Sequence, residues 1–258
     1  MSRLRAKCPD CRTLTAVSIG PEYECHSCGR SFGAGLIRVP RAWGRGGEAM
    51  AEAASLPLPY PETGVIDEET LADQSLALAL ELPERPLVLG GCCCAHIGAI
   101  EALAARHGRV SVVWLDAHGD LNTVESSPSG NEWATPLRHV IDSDAVSAED
   151  VALIGARNLD PPEEDFIARA GVRLGQHAIL KALDATAGAY VAIDFDVFSG
   201  GEVAPFMPEP EGLSVSDAER LLVSVQDANR VLGAGFTAML PDGRNVEPAR
   251  RLASALGL

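Results

Sequence analysis

Two short stretches concentrate side chains able to do chemistry. VVWLDAHGDLNT closes an apolar run with Asp116 and His118, two residues apart, and adds Asp120 after a glycine. VAIDFDVF sets Asp194 and Asp196 in the same two-residue relation. Residues two apart on an extended strand share a face, so each pair is aimed one way. Four carboxylates and an imidazole brought to one place could not all ionise unaided. A divalent cation resolves that conflict, and two resolve it better. The competing reading treats each acid as a separate turn former capping a neighbouring helix.

The seven cysteines fall into two groups. CPDC (Cys8, Cys11) and CHSC (Cys25, Cys28) are Cys-x-x-Cys knuckles, the second followed by Gly29, which permits the tight turn that aims both sulfurs inward. Four thiolates so spaced suit one tetrahedral Zn²⁺; a pair of redox dithiols is the alternative. His26, between the knuckle cysteines, is surplus to a filled tetrahedron. A segment of about 35 residues buries too little to fold alone, so the metal would hold it together. The second group, Cys92, Cys93 and Cys94 in LVLGGCCCAHIG, follows an apolar run and two glycines. These thiols could be small buried hydrophobes, half of a redox device, or metal ligands.

The elements that must position these groups follow from the apolar rhythm. PLVLGG, VSVVWLD, VALIGA, AYVAIDFD and VLGAGFTAM read as short buried strands. Helices alternate with them: DEETLADQSLALALEL with Asp67 as its cap and Pro83 as its stop, AHIGAIEALAARHG, PEEDFIARAG, SVSDAERLLVSVQDANR capped by Ser214, and VEPARRLASALGL. Continuously apolar strands alternating with helices mean a parallel sheet covered on both faces. In such sheets ligands bind beyond the carboxyl ends of the strands, where both acid motifs fall. Gly33 to Gly64, rich in Gly and Pro, reads as linker and irregular surface. The division expected is a zinc ribbon over 1–35 and an α/β domain over 36–258.

Composition narrows the partners. A net charge of −15 argues against nonspecific nucleic-acid binding and against docking on anionic lipid. No apolar stretch approaches the ~20 residues needed to span a bilayer, and MSRLRAKCPDC lacks the apolar centre of a signal peptide. The expected setting is the cytoplasm, with no membrane or nucleic-acid partner.

From about Leu36 onward the chain resembles the arginase (ureohydrolase) superfamily. Where that family carries a GGDH-type turn, DAHxD, Ser-Gly-Asn-x-His and a DxD strand end, this chain reads GGCCC, DAHGD, SGNEW and DFD, in the same order. The resemblance implies a three-layer α/β/α fold with a mostly parallel sheet and two divalent ions, Mn²⁺ by family habit. Asp116 and Asp194 would bridge them, Asp120 would complete one shell, and His118 with Asp196 the other. It implies an amidinohydrolase in which a hydroxide between the ions attacks a guanidino or amidino carbon, with Asp116, His118 and Asp120 as the catalytic set. Asn122, Ser127, Ser129 and Asn131 stand where arginase-like members receive an α-carboxylate, and Asp160 where they receive an α-amino group. The substrate implied is an amino acid such as arginine or N-hydroxyarginine, and a homo-oligomer is implied with it.

Four positions depart from the family. Its histidine ligand falls on Cys93, which opens the site to Zn²⁺; His96 is the second candidate for that ligand. Its proton-shuttling histidine falls on Trp133, and its guanidinium-binding glutamate near Ala238. A third acid beyond the DxD pair is replaced by Ser199. These losses favour a substrate with a better leaving group than arginine, such as an N-hydroxyguanidino or formimino amino acid. They also keep open a second reading, a catalytically impaired metal-binding protein whose zinc ribbon docks a regulatory partner. A cysteine nucleophile from the triplet is a third, lacking an assigned base.

Overall fold

The computed structural model describes residues 5–258. A four-stranded antiparallel sheet is built from β1 (Arg5–Ala6), β2 (Ala16–Ile19), β3 (Glu22–Cys25) and β4 (Ser31–Phe32) in sequential order. Its small core of Ala6, Cys8, Ala16, Tyr23, Cys25 and Phe32 has little apolar side chain beyond Tyr23 and Phe32. The second sheet has eight strands: β5 (Gly35–Val39), β6 (Glu62–Val65), β7 (Pro86–Gly90), β8 (Ser111–Leu115), β9 (Val151–Ile154), β10 (Arg173–Leu174), β11 (Ala189–Asp194) and β12 (Val231–Thr237). Every pairing in it is parallel, in the order β10-β9-β8-β11-β12-β7-β5-β6.

Alternation along the strands divides the core in two. Val113 and Leu115 of β8, Val191 and Ile193 of β11, and Ala234 and Phe236 of β12 pack with α6 (Ile179–Leu183), α7 (Val215–Ala228) and α8 (Val246–Ala255). Val112, Trp114, Tyr190, Ala192 and Leu232 face the other way, toward α2 (Leu71–Glu81), α3 (Ile97–His107), α4 (Pro136–Asp142) and α5 (Pro161–Ala170). The result is the α/β/α sandwich that the strand pattern predicts. Ser214 caps α7 by accepting the Asp217 N–H. Among the described residues, no helix is long and apolar enough to cross a membrane.

Two expectations fail, both between Gly33 and Pro83. The Gly- and Pro-rich stretch is not mere linker: it contributes β5, hydrogen-bonded between β6 and β7, a short helix α1 (Glu48–Ala53), and edge strand β6. Gly35 is needed there, because a Cβ would lie 2.8 Å from both Tyr23 and Thr63. Asp67 does not cap α2; Thr70 does, accepting the Asp73 N–H at 3.1 Å, while Asp67 pairs with Arg41. The small sheet also meets the large one. Lys7 and Glu62 exchange backbone hydrogen bonds at 2.8 and 3.0 Å, so the outer side of β6 is paired rather than bare.

The chain path explains where a ligand would sit. After β7 the path skips two strand positions to β8, runs outward to β10, and returns to insert β11 and β12 in the gap. The four central strands β7, β12, β11 and β8 therefore end together at the switch in strand order. Gly98 lets α3 lie against α2, since a Cβ there would meet the Ser75 carbonyl oxygen at 2.4 Å. Gly98→Ala should lower unfolding free energy by about 2 kcal/mol. Gly243→Ala, where a Cβ meets nothing within 4 Å, should stay within about 0.5 kcal/mol. Denaturant titration of both variants checks this.

Candidate metal centre and substrate cavity

Each central strand delivers one part of the site. Cys93 follows β7 in a 3₁₀ turn, and Asp116, His118 and Asp120 follow β8. Asp194 ends β11 with Asp196 in the turn beyond, and Thr237 ends β12. Two donor triads result, each with its ligand atoms within 4.8 Å of one another: Cys93, Asp116 and Asp120, and Asp116, His118 and Asp196. Asp116 belongs to both. Asp194 lies beside them, its Oδ2 3.0 Å from the Cys93 sulfur and its Oδ1 accepting the Asp196 N–H at 2.8 Å.

Neighbours hold these groups in place. The Trp114 indole N–H donates to Asp116 Oδ2 at 3.0 Å, and the His118 backbone N–H to Asp116 Oδ1 at 2.7 Å. The Ala117 N–H donates to Asp196 Oδ1, leaving Asp196 Oδ2 at 2.9 Å from His118 Nδ1. Asp120 sits at φ 51°, a left-handed conformation that Asp tolerates better than most residues. Ala238, φ 54°, closes the same cavity at the end of β12. Glu163 braces the loop from α5, taking the Leu121 N–H on Oε1 and the Asp160 N–H on Oε2, both at 2.9 Å.

The electrostatics are those of a centre short of positive charge. Burial, and then the charge of Asp196, pushes Asp116 up to about 6. Burial and neighbouring carboxylates push Asp120 and Asp194 well above the carboxylate range. The Cys93 thiol is raised by burial and by Asp194, Asp120 and Asp116, which is the reverse of what a cysteine nucleophile needs. Burial pulls His118 down, but its bonds to Asp116 and Asp196 outweigh that and hold it up at about 12. Asp120 Oδ2 is buried with no hydrogen-bond partner. An orphaned carboxylate oxygen beside a thiol and a shared carboxylate fits a divalent cation.

His96 does not join the donors. Its Nδ1 meets the Tyr190 hydroxyl at 2.9 Å and its Nε2 the Thr237 hydroxyl at 3.2 Å. Burial pushes it down to about 3, so it stays neutral in the core. His26 and His177 are exposed, and His139 pairs with Glu101 at the surface.

Above the triads lies a cavity of about 260 Å³. Of the residues singled out in the sequence, Cys93, His118, Asp120, Asn122, Ser127, Ser129, Asn131, Trp133, Asp160, Asp194, Asp196 and Ala238 line it; Asp116 lies beneath, 1% exposed. The Asn122 amide donates to Asp160 at 2.9 Å and accepts from the Ser126 hydroxyl. The Ser127 and Ser129 hydroxyls pair at 3.0 Å, and Asn131 accepts the Arg45 N–H. Met50, Phe206 and Met207 add an apolar wall, with Trp133 edge-on to Phe206. Among the described residues, no lysine or arginine lines the cavity. Sequence reasoning passed over Glu163, Trp114 and Asn158, the last lining the cavity with its amide 3.5 Å from His118 Nε2 and donating to Glu209 Oε1 at 3.0 Å. The Asx-type cap spacing Asp160-Pro-Pro-Glu163 was a legible signal for the first; nothing local marked the other two.

Away from the cavity, the sulfurs of Cys8, Cys11, Cys25 and Cys28 lie within 4.8 Å of one another. Cys8–Cys28 and Cys11–Cys25 are 3.8 and 3.6 Å apart, far beyond a disulfide bond. A tetrahedral ion with sulfurs at about 2.3 Å sets them about 3.8 Å apart, so the cluster fits one. Gly29 takes φ 71° and returns its N–H to the Cys25 carbonyl, the tight turn its position predicts.

A stability test follows from the raised carboxyl groups. Asp116 titrates near 3.8 when unperturbed and near 6 here, so the folded chain binds more protons than the unfolded one between those values. Without divalent ions, stability should therefore fall as pH rises from about 4 to about 6. Added divalent cation should reverse the fall above pH 6. Thermal melts of chelator-treated protein across that range, with and without Mn²⁺, measure it.

Comparison with known proteins identifies the family and the fold. A model of the arginase family matches residues 61–256. The arginase of Bacillus subtilis (strain 168) is 30% identical over 195 residues, covering 65% of this chain and 66% of that protein, just under two thirds of its length. The arginase of Bacillus caldovelox is 31% identical over 208 residues, covering 67% and 69%. A crystal structure of Bacillus subtilis arginase superposes with a TM-score of 0.77 at 24% identity, over 86% of this chain and 97% of that one, a likeness of fold. The family match spans well over half of the sequence, and the chain belongs to the arginase family.

Proposed function

We propose that the chain is a metal-dependent amidinohydrolase that cleaves a C–N bond of a guanidino or amidino amino acid. The observation that carries the reading is the pair of donor triads sharing Asp116 at the floor of one cavity. Divalent cations held there would neutralise the carboxylates and acidify a water to a nucleophile near neutral pH. Cys93, Asp116 and Asp120 would hold one, and Asp116, His118 and Asp196 the other, with Asp194 against both. Mn²⁺ is the hard ion that carboxylate and imidazole suit.

The chain's own residues supply the rest. An anionic cavity without lysine or arginine favours a cationic amidinium. Asn122, Ser127, Ser129 and Asn131 offer amide and hydroxyl groups to the amino-acid end, and Asp160 offers a carboxylate to its ammonium. Trp133 stands in the cavity wall and cannot deliver a proton to the departing amine. Glu163 cannot substitute, because both its oxygens are engaged. Substrates with a less basic, better leaving group, which needs less help from a proton donor, should therefore be preferred, an advantage of roughly 10²-fold or more over arginine. The zinc ribbon expected over 1–35, of which residues 1–4 lie outside the described residues, is closed in the same proposal by Cys8, Cys11, Cys25 and Cys28 around one Zn²⁺.

Trp133 also supports a second reading, in which the centre binds ions and ligand without turnover. Urea, ammonia and amine release from a panel of guanidino and formimino amino acids with Mn²⁺ decides between them. Release from N-hydroxyarginine exceeding that from arginine, and abolished by Asp116→Asn, supports the hydrolase. Trp133→His should raise the arginine rate by about 10-fold or more. Ion binding with no release from any member of the panel supports the second reading.

A further inference from the structure

We propose that the two ion positions are chemically unequal and take different metals. A thiophilic divalent ion, Zn²⁺, sits between Cys93, Asp116 and Asp120, beside a hard ion, Mn²⁺, between Asp116, His118 and Asp196. The inference rests on the reading of the cavity as a two-cation centre and adds which cation goes where.

The donor atoms make the distinction. One triad is sulfur with two carboxylate oxygens; the other is an imidazole nitrogen with two carboxylate oxygens. Thiolate selects zinc-like ions, whereas carboxylate and imidazole accept Mn²⁺ readily. Zinc binds either set more tightly than manganese does, but its margin is largest where sulfur is a ligand. Limiting zinc therefore fills the Cys93 position first and leaves the other to manganese.

The surroundings of Cys93 commit it to an ion. It is 3% exposed and unpaired with any other cysteine. Its sulfur lies 3.0 Å from Asp194 Oδ2, 3.2 Å from the Thr237 hydroxyl and 4.0 Å from Asp116 Oδ2, so its thiol proton occupies an otherwise anionic nook. Beside it, Asp120 is 5% exposed and its Oδ2 has no hydrogen-bond partner. A buried oxygen without a donor, a thiol among carboxylates and the shared Asp116 together make a donor set suited to a thiophilic cation. The His96 imidazole cannot take the place of the sulfur. His96 is held by Tyr190 and Thr237, and Thr237 itself stands between His96 and Cys93, 3.2 Å from each.

The test is crystallographic. Chelated full-length protein receives two equivalents of Zn²⁺, one for the four-cysteine cluster and one for the cavity, with excess Mn²⁺. Anomalous difference maps at the zinc and manganese edges then locate each element. The expected result is zinc on Cys93, Asp116 and Asp120, and manganese on Asp116, His118 and Asp196. In Cys93→His the manganese-to-zinc preference at the first position should rise by roughly 10-fold or more, read by competition titration. If that variant does not fold, the wild-type maps decide alone. Manganese at both positions, zinc at both, or an ion without sulfur in its shell overturns the inference. Manganese at both with amidine turnover leaves the hydrolase reading standing; no ion at either position removes both.

Discussion

Asp116 lies at the intersection of two donor sets, and the rest of the site is arranged around the conflict this creates. Its carboxylate is fixed by the Trp114 indole on one oxygen and the His118 backbone N–H on the other. It cannot turn away from Asp196 or from the Cys93 and Asp120 side. Four buried carboxylates and a thiol face one imidazolium, so the metal-free centre keeps protons on groups that would otherwise be ionised. The same crowding that costs stability without cations becomes affinity when cations arrive.

Only the centre of a parallel sheet could bring these groups together. β7, β12, β11 and β8 are neighbours, although β11 and β12 come late in the chain. Asp194 is level with Thr237 across β11 and β12, and Ile193 with Leu115 across β11 and β8. Donors separated by about a hundred residues therefore emerge at one height. Glu163 and the α5 N-terminus then pull the loop after β8 inward, which places Asn122 and Asp160 in the cavity wall.

What the sequence revealed and what it hid divides along this line. DAHGD and DFD were legible because paired acids at the end of apolar runs have few other uses. The two-residue spacing also gives their shared direction. The alternating faces of the sheet were equally legible from the strands. The stretch from Gly33 to Gly64 was not. Gly35, Gly44 and Gly47 serve close approach to Tyr23, Thr63, Trp133 and Ala42 rather than flexibility, and only distant partners reveal that. Thr70, not Asp67, caps α2 because the helix begins only at Leu71, and Asp67 pairs instead with Arg41, a residue 26 positions away. His96 was an open candidate until Tyr190 and Thr237, from strands far along the chain, were seen to engage both its nitrogens.

In the proposed two-cation centre, divalent ions take the place of protons in this cavity. Calorimetry in buffers of differing ionisation enthalpy counts the protons released as divalent ions bind. It is done on protein whose four-cysteine cluster is already loaded. Two ions should bind per cavity, with protons expelled from Cys93 and from the carboxyl groups of Asp120 and Asp194. Binding of no ion, or of two ions without proton release, would contradict it.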